Sequence, residues 1–321
     1  MASTTIGTNF VKQFGSTLQM LAQIKGGKFD GKCMEESITG EEKYFDQLDA
    51  VYANEVQDRY GDSPENDITH ARRRVVATPY DVGLMLDRFD KVQMLVDPES
   101  AYVQQINHAL QRKKDIEFIK GALGTAYTGK AGGTEKELLA ANSIGGANGD
   151  AGAGLTVDRV IATRTYFEEN DIDLSDPMNK PYFVCAPKAI EDLLNQQEVT
   201  SSDYNSVKAL VNGELNTWCG FEFVISNLVP YTTDAANQTV ELSWSAADVP
   251  TGVTGNVRAN FAYVKSGITR VTNPSIQVDI EKRGDKRFNW YAYGCMSTGA
   301  VRMEEKKVAI VATDDDSTPS L

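Results

Sequence analysis

Residues 97–123, DPESAYVQQINHALQRKKDIEFIKGAL, read as one uninterrupted helix. Asp97 suits an N-cap and Pro98 the first helical position. Tyr102, Ile106, Ala109, Ile116, Ile119 and Leu123 recur at helical spacing and form one apolar stripe. Gly124 stands where a helix ends. About 27 residues at 1.5 Å rise span on the order of 40 Å, longer than most helices of globular domains. Such a helix crosses a domain from side to side, and the remaining elements must be arranged along it. Its opposite face carries Arg112, Lys113 and Lys114. That cluster reads either as a solvated face or as a contact for a polyanion or an acidic neighbouring subunit.

The segment before this helix has a different character. Residues 8–25 place Phe10, Phe14, Leu18, Leu21 and Ile24 on one helical stripe, stopped by Gly26 and Gly27. This helix either packs on its own domain or forms an arm on a neighbour. Residues 32–90 read as extended. Glu35, Glu36, Glu41 and Glu42 precede a polar loop, RYGDSPENDITH, and Arg72, Arg73 and Arg74 follow it. Two extended stretches of opposite charge joined by a polar loop predict a long hairpin. A flat hairpin buries little by itself, so its expected cover is another subunit.

After the long helix, residues 124–156 are rich in Gly, Ala, Ser and Thr and read as a linker. Thr156 can cap a helix carrying Val157, Val160, Ile161, Tyr166 and Phe167. Strands are predicted over 181–187, 219–229, 238–245, 259–271 and 275–283, and helices over 188–196 and 204–211. Residues 288–313 read as two strands divided around Gly294 to Gly299, before a polar tail. Helices and strands alternate without regular βαβ order, so the expected fold class is α+β.

Several chemistries find no support. GTAYTGKA (124–131) matches the start of GxxxxGK, but Ala131 replaces the Ser or Thr that would bind magnesium. Its glycines also follow a helix, where the dipole end is negative, instead of preceding one. GDAGAG (149–154) lacks the last glycine of GxGxxG and has no strand before it. The two histidines, His70 and His108, stand in no catalytic or metal-like pattern. Cys33, Cys185, Cys219 and Cys295 include no CxxC pair and read as reduced packing thiols. No run approaches the roughly 18 apolar residues of a membrane span. The start, MASTTIGTNF, lacks a signal-peptide pattern, so synthesis and residence in the cytoplasm are expected. A net charge of −13 argues against tight nucleic-acid binding. No catalytic residue, cofactor or metal is expected.

The order of features carries a resemblance. FVKQFGSTLQMLAQIKGGK opens the chain, and residues 70–133 run HARRRVVATPYDVGLMLDRFDKVQMLVDPESAYVQQINHALQRKKDIEFIKGALGTAYTGKAGG. YAYGCMSTGAVRMEEKKVAIV closes it. This resembles the major capsid proteins of tailed bacteriophages, of the short-tailed (podovirus) type, with the HK-97-like fold. The block 70–133 is the most specific part, while 181–270 is generic.

The resemblance implies an N-terminal arm (1–31), an extended loop (32–90) and a spine helix opening a peripheral domain (91–180). An axial domain (181–271), closing strands of the peripheral domain (272–313) and a polar tail (314–321) follow. It implies self-assembly into hexamers and pentamers of an icosahedral virion shell around double-stranded DNA. The shell would be assembled in the host cytoplasm, with a scaffolding protein and a portal, with or without a decoration protein, and away from membranes. Phe10, Phe14, Leu18, Glu41, Glu42, Arg72, Arg73 and Arg74 are the expected interface residues. The arginines would pair either with a neighbour's acids or within their own loop. The alternatives are a nanocompartment shell of the same fold, or a cytoplasmic enzyme using the 124–131 loop for phosphate.

Overall fold

The computed structural model describes residues 23–53, 55, 67–86, 99–138, 142–144, 154–196, 217–230, 257–273 and 277–314. Their elements run β1 (Met34–Ser37), β2 (Glu42–Leu48), β3 (His70–Val76), β4 (Thr78–Leu86), α1 (Glu99–Leu123), β5 (Ala126–Thr128), β6 (Thr134–Lys136) and β7 (Ser143–Ile144). They continue with α2 (Val157–Glu169), β8 (Pro181–Cys185), α3 (Pro187–Leu194), β9 (Thr217–Trp218), β10 (Phe221–Ile225) and β11 (Val257–Val264). The last four are β12 (Ile268–Thr272), β13 (Gln277–Arg283), β14 (Asn289–Arg302) and β15 (Val308–Asp314). Helices and strands are mixed as expected. Asp97, Pro98, residues 8–22 of the predicted helix 8–25 and the predicted elements 204–211 and 238–245 lie outside the described residues, and residues 23–25 are not helical.

The long helix is a spine in a physical sense, because its two halves serve two different sheets. Ile106 and Leu110, in the first half, pack on Ala292 and Met296 of β14 and on Tyr80, Val82 and Leu84 of β4. Ile116, Phe118, Ile119, Ala122 and Leu123, in the second half, join a core with Tyr182, Val184, Phe261, Tyr263, Val308 and Ile310. Fully burying one such side chain contributes roughly 1.5–3 kcal/mol. Phe118 stacks on Phe29 at 4.4 Å and meets Tyr263 edge-on at 5.4 Å, which ties the incoming chain to the same core.

The first sheet, beneath the spine's amino-terminal half, is organised by β14. One edge of β14 pairs antiparallel with β4 from Thr298↔Thr78 to Trp290↔Leu86. The other edge pairs with β13 and then β12, and β1 adds parallel to β12. The second sheet has the order β7-β15-β11-β8-β10-β9. Its strands alternate faces. Tyr182 and Val184 face the spine core, whereas Phe183 and Cys185 face a core made with Leu155, Val160 and Phe167 around α2 and with Leu193 of α3. Alternation with both faces buried explains why Pro181–Cys185 reads as a continuous apolar run. Thr156 caps α2 as expected, accepting from the Arg159 N–H at 3.4 Å.

Two expectations are corrected. Residues 126–136 are not linker: β5 and β6 form a hairpin and complete a third sheet, β2-β3-β5-β6. The strand over 289–302 is unbroken through Gly294 and Gly299, and the division falls at the one-turn 3-10 helix Glu305–Lys307. Those glycines serve close approach: a Cβ at Gly294 would overlap Ile106, and one at Gly299 would overlap the Val76 carbonyl oxygen. The helix α2 packs on the second sheet, and β15 lies in it with Val308 and Ile310 also against the spine. Strands β1 and β4 belong to the first sheet. Among described residues the excursion itself is β2, β3 and the chain beyond them. Ala77 alone separates β3, in the third sheet, from β4, in the first.

Candidate subunit interface

The β2–β3 hairpin is held by its own charges. Its register sets Asp46 opposite Arg72, Phe45 opposite Arg73 and Tyr44 opposite Arg74. Side chains alternate across a strand, so Arg72 and Arg74 share one face and Arg73 takes the other. On the outer face Arg72 Nε reaches Asp46 Oδ1 at 2.6 Å, and Arg74 Nη1 reaches Glu42 Oε1 at 3.4 Å. The Arg72 guanidinium also lies over Tyr44, and that of Arg74 over Tyr127. Glu41 is exposed, and its carbonyl accepts from the Ala77 N–H at 2.8 Å.

On the inner face Arg73 is buried. Its Nη2 donates to both carboxylate oxygens of Glu305, at 2.6 and 2.7 Å, and its Nε to the Met303 carbonyl at 2.9 Å. Within the chain all three arginines have acidic partners. Arg73 goes to a partner outside its own loop. Glu305 stands 3.8 Å from Arg302, which is itself fully buried. Arg302 donates to the carbonyls of Ala122 and Gly124, at 2.8 and 2.9 Å, and to that of Lys136 at 3.1 Å. A cation therefore sits on the carbonyl end of the spine, where the dipole favours it. Burial lowers its pKa to about 10, and the charge of Glu305 opposes that fall.

This arrangement also disposes of the phosphate-loop reading. Where a P-loop would present N–H groups, α1 presents carbonyls, and a guanidinium fills the space. Gly124 closes the helix through an N–H donated to the Lys120 carbonyl at 2.8 Å. Gly129 and Gly132, with φ of 94° and 62°, turn the β5–β6 hairpin.

The basic cluster of the spine is neither a solvated face nor an open one. Arg112 Nη1 donates to Gln23 Oε1 and the Ile24 carbonyl, both at 3.1 Å. Lys113 pairs with Glu117 at 3.2 Å and lies over Tyr80. Lys114 pairs with Asp30 at 2.9 Å. Residues 23–30 are thus clipped across one turn of the spine. Gly26, at φ 75°, rests on the Gln111–Arg112 backbone, where a Cβ would overlap. Phe10, Phe14 and Leu18 lie outside the described residues.

Two acids complete the clip, Asp115 buried and Asp30 exposed. Asp115 accepts from the Lys28 N–H at 3.2 Å. Burial first, and the Asp30 charge in addition, push its pKa up to about 6. Burial also pushes Asp30 up, but Lys114 and Arg270 outweigh it and hold that carboxyl below its usual range. Arg270 is buried and bridges Asp30, at 2.6 Å, and Glu35.

Among the described residues, the far part of the β2–β3 hairpin holds several apolar side chains in solvent. Leu48, Val51, Tyr52 and Ile68 are exposed there, Tyr52 at 81%. The alternation of β2 and its charges predicts a hairpin, but these apolar residues lie beside a polar loop and carry no periodic signal.

The comparisons with known proteins fit this architecture. A family model described as phage capsid protein matches residues 6–315. A search of curated proteins returns no match. Among solved structures, the capsid of cyanophage P-SCSP1u is similar at a TM-score of 0.70 and 17% identity, covering 96% of this chain and 94% of that one. The capsid of Helicobacter pylori bacteriophage KHP30 gives 0.69 at 8% identity, covering 98% of each chain. The cyanophage Pam1 capsid gives 0.67 at 15% identity, covering 98% and 99%. With a family model spanning nearly its whole length, and with a spine helix, two sheets along it and a projecting hairpin, this chain belongs to the phage capsid protein family, as a major capsid protein of the HK-97-like fold.

Proposed function

We propose that the subunit assembles into hexamers and pentamers that close an icosahedral head around double-stranded DNA, in a phage of the short-tailed type. The observation that carries this reading is the projecting hairpin. Its root is locked into the body by Arg73 and Glu305, while its far end holds Leu48, Val51, Tyr52 and Ile68 in solvent. A monomer gains nothing from anchoring such an excursion firmly, whereas a neighbour covering it buries apolar area between subunits. A scaffolding protein and a portal act during assembly, and the amino-terminal arm (1–31) uses Phe10, Phe14 and Leu18 on a neighbour. The acidic balance of −13 suits a wall along which DNA slides without being gripped.

The test is expression with and without a candidate scaffolding protein, followed by negative-stain electron microscopy and light scattering. Hollow polyhedra, or rings of five and six, are the expected products. A folded monomer or dimer that never assembles, even with a scaffold, would overturn the reading.

A further inference from the structure

We propose that a lysine stripe across one end of the second sheet is where the subunit touches the backbone of packaged duplex DNA. The inference rests on the shell reading above and names a partner surface within it.

Topology builds the stripe. The strands β15, β11 and β8 lie side by side, and their ends register as Tyr263↔Val308 and Val264↔Pro181. Lys307 directly precedes β15, Lys265 directly follows β11 and Lys180 directly precedes β8. Residues far apart in sequence therefore line up across one end of the sheet. At about 4.8 Å between strands, the row runs on the order of 10 Å. Two contacts hold the turns that carry it. The Lys265 N–H donates to the Lys180 carbonyl at 3.0 Å. Gly267 lets the turn 265–267 sit against Lys307, where a Cβ would overlap that of Lys307. Lys306 is exposed beside this row. Lys32 extends it on the β10 side, because Glu222 of β10 takes Lys180 Nζ at 2.6 Å and Lys32 Nζ at 2.9 Å. Both ammonium groups also lie over the Tyr182 ring, at 5.6 and 5.8 Å.

The charges do not balance. Glu222 is shared by two lysines, and Glu304 takes Lys307 at 3.0 Å. Lys265 and Lys306 have no ion-pair partner among the described residues. Two carboxylates thus answer five ammonium groups, on a chain whose net charge is −13. Cations gathered against the overall sign are the electrostatic footprint of a polyanion site.

Residue type favours phosphate over a protein carboxylate. Buried pairing in this chain uses arginine, Arg73 with Glu305 and Arg270 with Asp30, whose planar fork suits a carboxylate. The stripe is all lysine, which acts as a point charge and suits phosphate. Lysine is also depleted in interfaces between proteins. A duplex offers one charge per roughly 3.4 Å along each strand, so a row of about 10 Å meets about three phosphates in any sequence. So small a surplus gives contact without a grip, in keeping with an acidic wall, and repetition over many subunits multiplies it.

The test compares DNA-filled heads with empty shells of the wild-type chain. Lysines are acetylated with acetic anhydride and followed by mass spectrometry. Lys180, Lys265 and Lys306 should react about threefold less in filled heads than in empty shells, while Lys286, on the β13–β14 turn, reacts alike in both. Lys180→Gln with Lys265→Gln and Lys306→Gln gives an independent reading. Binding of a short DNA duplex to unassembled subunits at low salt should weaken. The slope of log K against log salt should fall by about 0.9 per lysine removed. The melt of the subunits should not move, since none of the three is buried.

Equal reactivity in filled and empty particles would overturn the contact, as would a triple variant that keeps the wild-type slope. Protection in both kinds of particle, but not in free subunits, would overturn it too and assign the stripe to an acidic surface of a neighbouring copy. If wild type forms no shell, the capsid reading fails first, and duplex binding by the subunits still decides whether the stripe takes a polyanion.

Discussion

Arg73 on β3 and Glu305, in the short helical turn between β14 and β15, meet through two hydrogen bonds of 2.6 and 2.7 Å inside the protein. Glu305 also faces Arg302, which caps the spine. One carboxylate thereby joins the root of the hairpin to the end of the long helix.

Glu305→Ala strands two buried cations. Breaking a buried pair from one side costs about 3–5 kcal/mol. Urea denaturation of unassembled subunits should show that loss, and Arg73→Ala a similar one. Arg73→Met with Glu305→Leu should lose less than Glu305→Ala, since Arg302 is then the one buried cation left without its acid.

Gly299→Ala should loosen the same root by steric means. The new methyl would overlap the Val76 carbonyl oxygen where β3 crosses β14. Overpacking of this kind costs about 1–3 kcal/mol. Faster proteolysis of the hairpin, with the melt of the second sheet little changed, is the expected signature.

Asp115 predicts a pH dependence. The folded protein holds its proton up to about pH 6, above the ordinary carboxylate value of 3.8. Between those values the folded state binds more protons than the unfolded state, so this group makes stability fall as pH rises. At 1.36 kcal/mol per unit the effect is about 3 kcal/mol. Asp30 has the opposite sign: its lowered pKa gives stability that is lost as pH falls below 3.8. Asp115→Asn keeps an acceptor for the Lys28 N–H and should narrow the difference in melting temperature between pH 5 and pH 8.

Gly129→Ala with Lys130→Ala separates the shell reading from the phosphate-loop reading. Gly129 holds φ 94°, so the double variant should lose about 1 kcal/mol of stability. It should not alter calorimetric titration with ATP, which is expected to show no heat of binding to wild type. A wild-type signal abolished by the pair would reinstate the enzyme reading.

The spine, the hairpin and the capped α2 were legible because each is written locally: a helical stripe ending in Gly124, opposite charges flanking a polar loop, and Thr156 before an apolar run. The joints between them were not. Arg73 and Glu305 are 232 positions apart, and Arg302 is 180 from the carbonyl it caps. No local pattern announces such partners. Gly294 and Gly299 were misread because glycine marks a turn and a close approach alike, and only the spine and β3 decide between them. The β5–β6 hairpin was hidden by its own composition, since its short strands take their stability from pairing with β3.

Ala77 is the only residue between two sheets that share no ladder hydrogen bonds across it. A tile in a curved surface must meet its neighbours at more than one dihedral angle. Here the two sheets meet through that residue, a small core of Ile38, Val75, Ala126, Val271 and Val301, and the Arg73–Glu305 clasp. A change of the hairpin's direction would leave every strand pairing on either side intact and would have to be absorbed by this packed joint.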